Sequence, residues 1–238
     1  MYFLFSGEGA TDLGMCADGA ATCEGNDYQH GLMTVIVDQI VEARHRYSLI
    51  DTGCCGFVSR GTLVDRASEL KPAKRAIRLP GKKRAKETRY FFNNARVLAR
   101  IAKNRESTLK DDVVAVLFRD SDTATAGRGL WEAKRQSMLD GFEEEGFASG
   151  VPMIPKPTLE AWLLCALQQD PYVGCAVLED RSGSPNSLRS LKGEVENRLG
   201  HRPTRDELCD MVTNGRIDYR KINMPTFNAF RKRLEAVL

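Results

Sequence analysis

Apolar positions along the chain follow two rhythms. In some places they run on without interruption, and in others they return every three or four residues. Tyr2 to Phe5 is a run of the first kind and predicts a short buried strand. Leu32, Val35, Ile36, Ile40 and Ala43 show the second rhythm and predict a helix from about His30 to Arg46. A second strand is expected around Gly56 to Ser59, with a short helix near Thr62 to Leu70. The stretch "LPGKKRAKETRYFFNNARVLARIAK" reads as a basic turn feeding a long helix whose apolar face is Phe91, Ala95, Leu98 and Ala102. Val113 to Phe118 is a continuous apolar run bounded by charge, the pattern of a central strand buried on both faces. A helix from about Leu130 to Glu145, a strand around Ala148 to Ile154 and a helix opening at "PKPTLEAWLLCAL" follow, with further helices from Ser187 onward.

Strand and helix in alternation predict an α/β fold with a mainly parallel sheet of four strands or slightly more, plus a C-terminal helical extension. The expected division is a core over 1–156, carrying a basic helical insertion at about 60–105, and an extension over 157–238 packed on it. Ligands of such sheets bind at the carboxyl ends of the strands.

Composition adds bounds. A hydrophobic fraction of 42% and a charged fraction of 28% are those of an ordinary globular protein. No apolar run reaches membrane-spanning length, and the first residues lack the basic start and long apolar core of a signal peptide, so a cytoplasmic protein without a membrane partner is expected. Seven cysteines with no C-x-x-C predict reduced thiols rather than a disulfide framework. Cys16, Cys23 and His30 are too loosely spaced for a zinc site, and His30, His45 and His201 are scattered. Charge is unevenly spread: Lys71 to Arg105 holds 13 Lys or Arg residues and one acid, Glu87, although the whole chain is only +3. That is an electrostatic footprint for a polyanion.

The candidate chemistry lies at the strand ends. Gly7, Glu8, Gly9 and Gly14 do not form the dinucleotide pattern G-x-G-x-x-G, and Glu8 and Asp12 would repel a phosphate. Acids at a strand's carboxyl edge can instead hold a hard divalent cation through oxygen ligands. A D-x-D pair, Asp120 and Asp122, follows the central strand. Two aspartates are also ordinary turn chemistry, but their place directly after a buried strand, with Glu8 after another, points to metal binding.

"EGATD" at the end of the first strand, with Asp120-Ser121-Asp122 at the end of a later one, resembles the Toprim domain of topoisomerases, primases and several nucleases. The form is similar to the E-G-x-T/S-E/D of its overcoming-lysogenization-defect nuclease branch. "KPTLEAWLL" and "MPTFNAFRKRL" resemble an uncharacterised bacterial Toprim-like family. The resemblance implies a Rossmann-like Toprim core and metal-dependent phosphodiester chemistry on DNA or RNA, as in effectors of anti-phage defence that work beside an ATPase partner protein. It gives Glu8 general acid or base work and metal organisation, gives Mg²⁺ (or Mn²⁺) to Asp120 and Asp122, and lets Asp12 help hold a second ion. In the two-metal scheme, ions roughly 4 Å apart stabilise attacking and leaving oxygens. Glu160 is either a further metal ligand, as the match to "LEAWLL" implies, or a carboxylate meeting a helix dipole.

Lys82, Lys83, Arg84 and Arg89 could hold a nucleic-acid backbone or form a solvated helix face, and Tyr90, Phe91 and Phe92 could stack bases or pack inward. Arg119 and Arg128 flank the D-x-D and could stabilise transition-state charge or pair with its aspartates. No Walker motif is present, since "AIRLPGKK" lacks its first glycine and the Ser or Thr after the lysine. Two other readings stand beside the nuclease: a catalytically silent Toprim-fold binding or regulatory subunit, and a nucleotide-binding Rossmann-like protein. A homo-oligomer is left open.

Overall fold

The structure is a computed structural model describing residues 1–71, 82–121, 128–184, 186–187 and 189–238; at 82–87, 128 and 129 it describes the backbone alone. The strands are β1 (Tyr2–Gly7), β2 (Gly14–Cys16), β3 (Thr22–Glu24), β4 (Tyr28–His30), β5 (Cys55–Ser59), β6 (Val113–Phe118) and β7 (Gly150–Met153). The α-helices are α1 (Leu32–His45), α2 (Arg60–Ala67), α3 (Lys82–Leu109), α4 (Arg128–Glu144), α5 (Leu159–Leu167), α6 (Leu191–Leu199), α7 (Arg205–Thr213) and α8 (Pro225–Val237).

The fold is α/β around a mixed five-stranded sheet of order β3-β5-β1-β6-β7. The strand β1 lies at its centre, parallel to β5 and β6; β7 is parallel to β6, and β3 closes the edge antiparallel to β5. The apolar runs explain the centre. Every residue of β1 and β6 is buried, so both strands need cover on both faces. Phe3, Phe5, Val114, Val116 and Phe118 face one core, with α1 and the C-terminal helices α5 to α8. Tyr2, Leu4, Val113, Ala115 and Leu117 face the other, with α3 and α4. The predicted face of α3, Phe91, Ala95, Leu98 and Ala102, is buried in this second core.

Two features depart from the sequence reading. Between β1 and α1 the chain forms β3 and an antiparallel ribbon of β2 and β4, each only three residues long, too short for any periodicity to show. The expectation of reduced thiols is corrected at four positions: Cys16 is bonded to Cys23, and Cys165 to Cys175. Their Cα atoms stand 5.6 and 5.1 Å apart, a proximity created by the ribbon and by the turn after α5 that spacing in sequence does not reveal. Cys54, Cys55 and Cys209 are free. Among the described residues no helix is long and apolar enough to cross a membrane.

Candidate functional site

Three strand ends bring charge side by side. Ser59 is in register with Gly7, and Leu117 with Ser6, so one step beyond the first ladder and two beyond the second the carboxyl edge carries Arg60, Glu8 and Arg119 in one row. Residues of one row share a face, here the face of α3. Arg60 is there because β5 passes straight into α2, with the Ser59 hydroxyl capping the helix by accepting from Thr62 N–H. Its Nη1 lies 2.8 Å from Glu8 Oε2. Arg60 Nε also donates to the Tyr90 hydroxyl of α3 at 2.8 Å.

Arg119 is 1% exposed. Its Nη1 donates to the Phe118 carbonyl at 2.6 Å, while Nε and Nη2 are buried without a hydrogen-bond partner among the described residues. Burial pulls this guanidinium below its ordinary pKa, an effect that Tyr90 and Glu8 oppose.

Acids gather toward the opposite face. The turn after β1 is drawn tight by Asp12 N–H donating to the Gly9 carbonyl at 3.1 Å, with Gly9 at φ +85°, where a Cβ would also collide with the Asp12 carboxylate. The turn is tied to α1, since Met33 N–H donates to the Asp12 carbonyl at 2.8 Å. Burial pushes the Asp12 carboxyl up to about 6; a hydrogen bond from Thr11 opposes this, while the negative charges of Glu160 and Glu8 add to it. Asp120 Oδ1 accepts the N–H of Leu159, the first residue of α5, at 3.1 Å. A carboxylate there satisfies an otherwise open helix donor and meets the positive end of the dipole. The neighbouring Ser121 is fixed by its N–H to the Pro155 carbonyl at 3.1 Å and by Lys134 Nζ donating to its own carbonyl at 2.6 Å.

The structure therefore brings Glu8, Asp12, Asp120 and Glu160 to one edge, with Arg119 beside Glu8 on the other face. Glu160 lies in the first turn of α5, and its charge is felt at Asp12, so the dipole and the acidic cluster both bear on it. Asp122 and the side chains of Lys82, Lys83, Arg84 and Arg128 lie outside the described residues. Arg89 is exposed on α3. The arginines behind it are not the open face that was expected. Arg96 and Arg100 bond Glu145 at 2.6 and 2.8 Å, Lys103 bonds the Glu145 carbonyl at 2.8 Å, and Arg105 bonds Glu24. Phe91 is buried, and Tyr90 is committed to Arg60.

The donor set fits a hard divalent cation: it offers carboxylate oxygens only, and the charges of Glu160 and Glu8 add to the burial that raises Asp12. Among the described residues no three such groups close into a metal site as they stand. Sequence reasoning missed three cations here: Arg60, Lys134 and Lys192, whose charge acts favourably on Asp12. Arg60 was findable by the strand-end rule that found Glu8. Lys134 was findable as a charge at helical spacing between the buried Trp131 and Met138. Lys192 carries no sequence signal. No protein-family model, no curated protein and no solved structure matches the chain.

Proposed function

We propose that the chain is a Mg²⁺-dependent, Toprim-type phosphodiesterase that cleaves DNA or RNA, with Mn²⁺ as an alternative ion. The observation that carries this reading is the placement of four carboxylates, Glu8, Asp12, Asp120 and Glu160, along the carboxyl edge of the sheet, with buried positive charge on Glu8's other side. Asp12, Asp120 and Glu160 are the residues that would hold the ion, joined by Asp122 on the strength of the resemblance. When bound, Mg²⁺ supplies Lewis-acid stabilisation of charge on the phosphate oxygens. Glu8 holds or releases a proton at Oε2, and Arg60 keeps that oxygen in place in the free protein. Lys82, Lys83, Arg84, Arg89 and Arg128 would follow the nucleic-acid backbone, a sequence-independent contact. Service as a defence effector beside an ATPase partner belongs to this reading.

A second reading, the catalytically silent binding subunit, is favoured by one observation. Glu8 and Asp120 already have protein partners, Arg60 and the α5 N-terminus. Cleavage of plasmid, single-stranded DNA and total RNA, each with Mg²⁺, Mn²⁺ or EDTA, separates the two. The variant to compare is Asp120→Asn, which keeps an oxygen for Leu159 N–H and removes the charge. Metal-dependent degradation that Asp120→Asn loses supports the enzyme. Equal inertness of wild type and variant on every substrate, with or without a candidate ATPase, refutes it.

A further inference from the structure

The least explained group in the molecule is the Arg119 guanidinium. It is buried, it uses one N–H on the preceding residue's carbonyl, and among the described residues Nε and Nη2 find no hydrogen-bond partner of good geometry, the Tyr90 hydroxyl being the polar group that acts on the guanidinium from beside it. Leaving buried donors of a charged group unmade is unfavourable, so such a group persists where something outside the free chain completes it. Its neighbours indicate what that is. Arg60 comes from the next row position but one, and both guanidinium carbons stand against the same Tyr90 ring, at 5.8 and 5.9 Å from its centroid. The two positive charges oppose one another, and the carboxylate between them, Glu8, is bonded to the outer arginine and not to the inner one. Arg60 and Glu8 are both partly open to solvent, with side chains 53% and 28% exposed.

We propose that Arg60 and Arg119, backed by Tyr90, form a clamp for a phosphate group of a nucleic-acid backbone, and that this phosphate takes Arg60 away from Glu8. The proposal rests on the phosphodiesterase reading and deepens it, by giving the substrate phosphate its seat and the free protein a reason to hold Glu8 occupied. An oxyanion has the charge to reconcile two arginines and the lone pairs to accept Nε and Nη2 of Arg119 together, a planar fork matched to phosphate. Arg60 is the mobile half, because an ion pair this exposed is weak, and a charge-assisted bond to phosphate replaces it. Once Arg60 turns to the phosphate, the Glu8 carboxylate is released next to it.

Binding is measured with EDTA present, so that no turnover occurs. The probes are inorganic phosphate, a short single-stranded oligonucleotide and its methylphosphonate counterpart, whose backbone is uncharged. Wild type is expected to bind the oligonucleotide and not the methylphosphonate; a response to inorganic phosphate alone would assign the same clamp to a small phosphate. Arg119→Met should lower affinity about tenfold to a hundredfold, the worth of charge-assisted hydrogen bonds, while its melting temperature stays level or rises, because an unsatisfied buried charge has been removed. Arg60→Gln should weaken binding by a smaller factor. Glu8→Gln should strengthen it, since the internal competitor for Arg60 is gone; a merely structural ion pair would give no such gain.

The proposal is overturned if wild type binds none of the charged probes, if Arg119→Met binds as wild type does, or if Arg119→Met is markedly less stable, which would mean that the guanidinium is already satisfied. Phosphate binding that depends on Arg119 in a protein that never cleaves would remove the enzymatic reading and leave the clamp. Metal-dependent cleavage indifferent to Arg119 and Arg60 would do the reverse.

Discussion

Replacing Asp12 by Asn removes a carboxylate that is both buried and set among other acids at the sheet edge. The Asp12 carboxyl is pushed up from 3.8 to about 6, burial first and then the charges of Glu160 and Glu8, against the hydrogen bond from Thr11. A carboxylate whose pKa is raised by folding costs the fold stability wherever it is ionised. The cost is complete above about pH 6 and disappears as the pH falls toward 3.8. A shift of this size corresponds to at most about 3 kcal/mol, and because the side chain keeps some contact with water, roughly 1–2 kcal/mol is the realistic share. Asp12→Asn is therefore expected to be more stable than wild type near pH 8 in EDTA, by about 2–4 °C of melting temperature per kcal/mol. The advantage should vanish near pH 4, where both side chains are neutral. Adding Mg²⁺ should raise the wild-type melting temperature and erase the difference, because the cation relieves the same repulsion. Thermal unfolding followed by circular dichroism across this pH range is the assay. A variant no more stable than wild type at pH 8, or equally favoured at pH 4 and pH 8, would refute the cost assigned to this buried carboxylate and its acidic neighbours.

Three further outcomes are expected. Gly31→Ala should cost several kcal/mol, since the new Cβ would meet Gly14 N, Leu13 C and the Asp12 carbonyl oxygen at 2.5, 2.6 and 2.7 Å, all backbone atoms that cannot turn aside; failure to lower the denaturant midpoint would contradict this packing. Glu145→Gln should cost about 3 kcal/mol at neutral pH by leaving the buried Arg96 without its counterion. Burial alone would raise the Glu145 pKa, but bonds from Arg100 and Arg96 outweigh it and lower it, so the deficit in urea unfolding should narrow as the pH falls below 4.5. Alkylation of the unfolded, unreduced protein followed by mass measurement should label Cys54, Cys55 and Cys209 only; seven labels would refute both disulfides.

Where one local rule governed a stretch, the sequence was readable. The strand β6 spans the same Val113 to Phe118 that the apolar run marks, because a strand covered on both faces admits no polar position. The helix α1 lies within the predicted limits, and Glu8, Asp12, Asp120 and Glu160 reach one edge because strand ends of a parallel-paired sheet must share an edge. What stayed hidden depended on partners distant in sequence. The basic run around α3 predicts an open cationic face, yet Glu145 draws in Arg96 and Arg100 from 49 and 45 residues away. The cysteine pairs were equally out of reach, since β2 and β3, the three-residue strands that carry Cys16 and Cys23, are too short to announce themselves in sequence.

The bond from Leu159 N–H to Asp120 makes the position of α5 part of the geometry of the acidic edge. That helix is not independent of the tail: Trp162 lies with its ring against Phe227 and Phe230 of α8, and its indole N–H donates to Thr226, which in turn donates to the buried Glu179. A continuous series of contacts thus runs from the last helix to the aspartate. Anything that grips α8 has leverage on the tilt of α5, and a displacement of its N-terminus by even an ångström would carry Asp120 with it or leave it behind. The C-terminal helices thereby belong to the support of the acidic edge, and a truncation that spared every acidic residue would still remove the packing that seats α5.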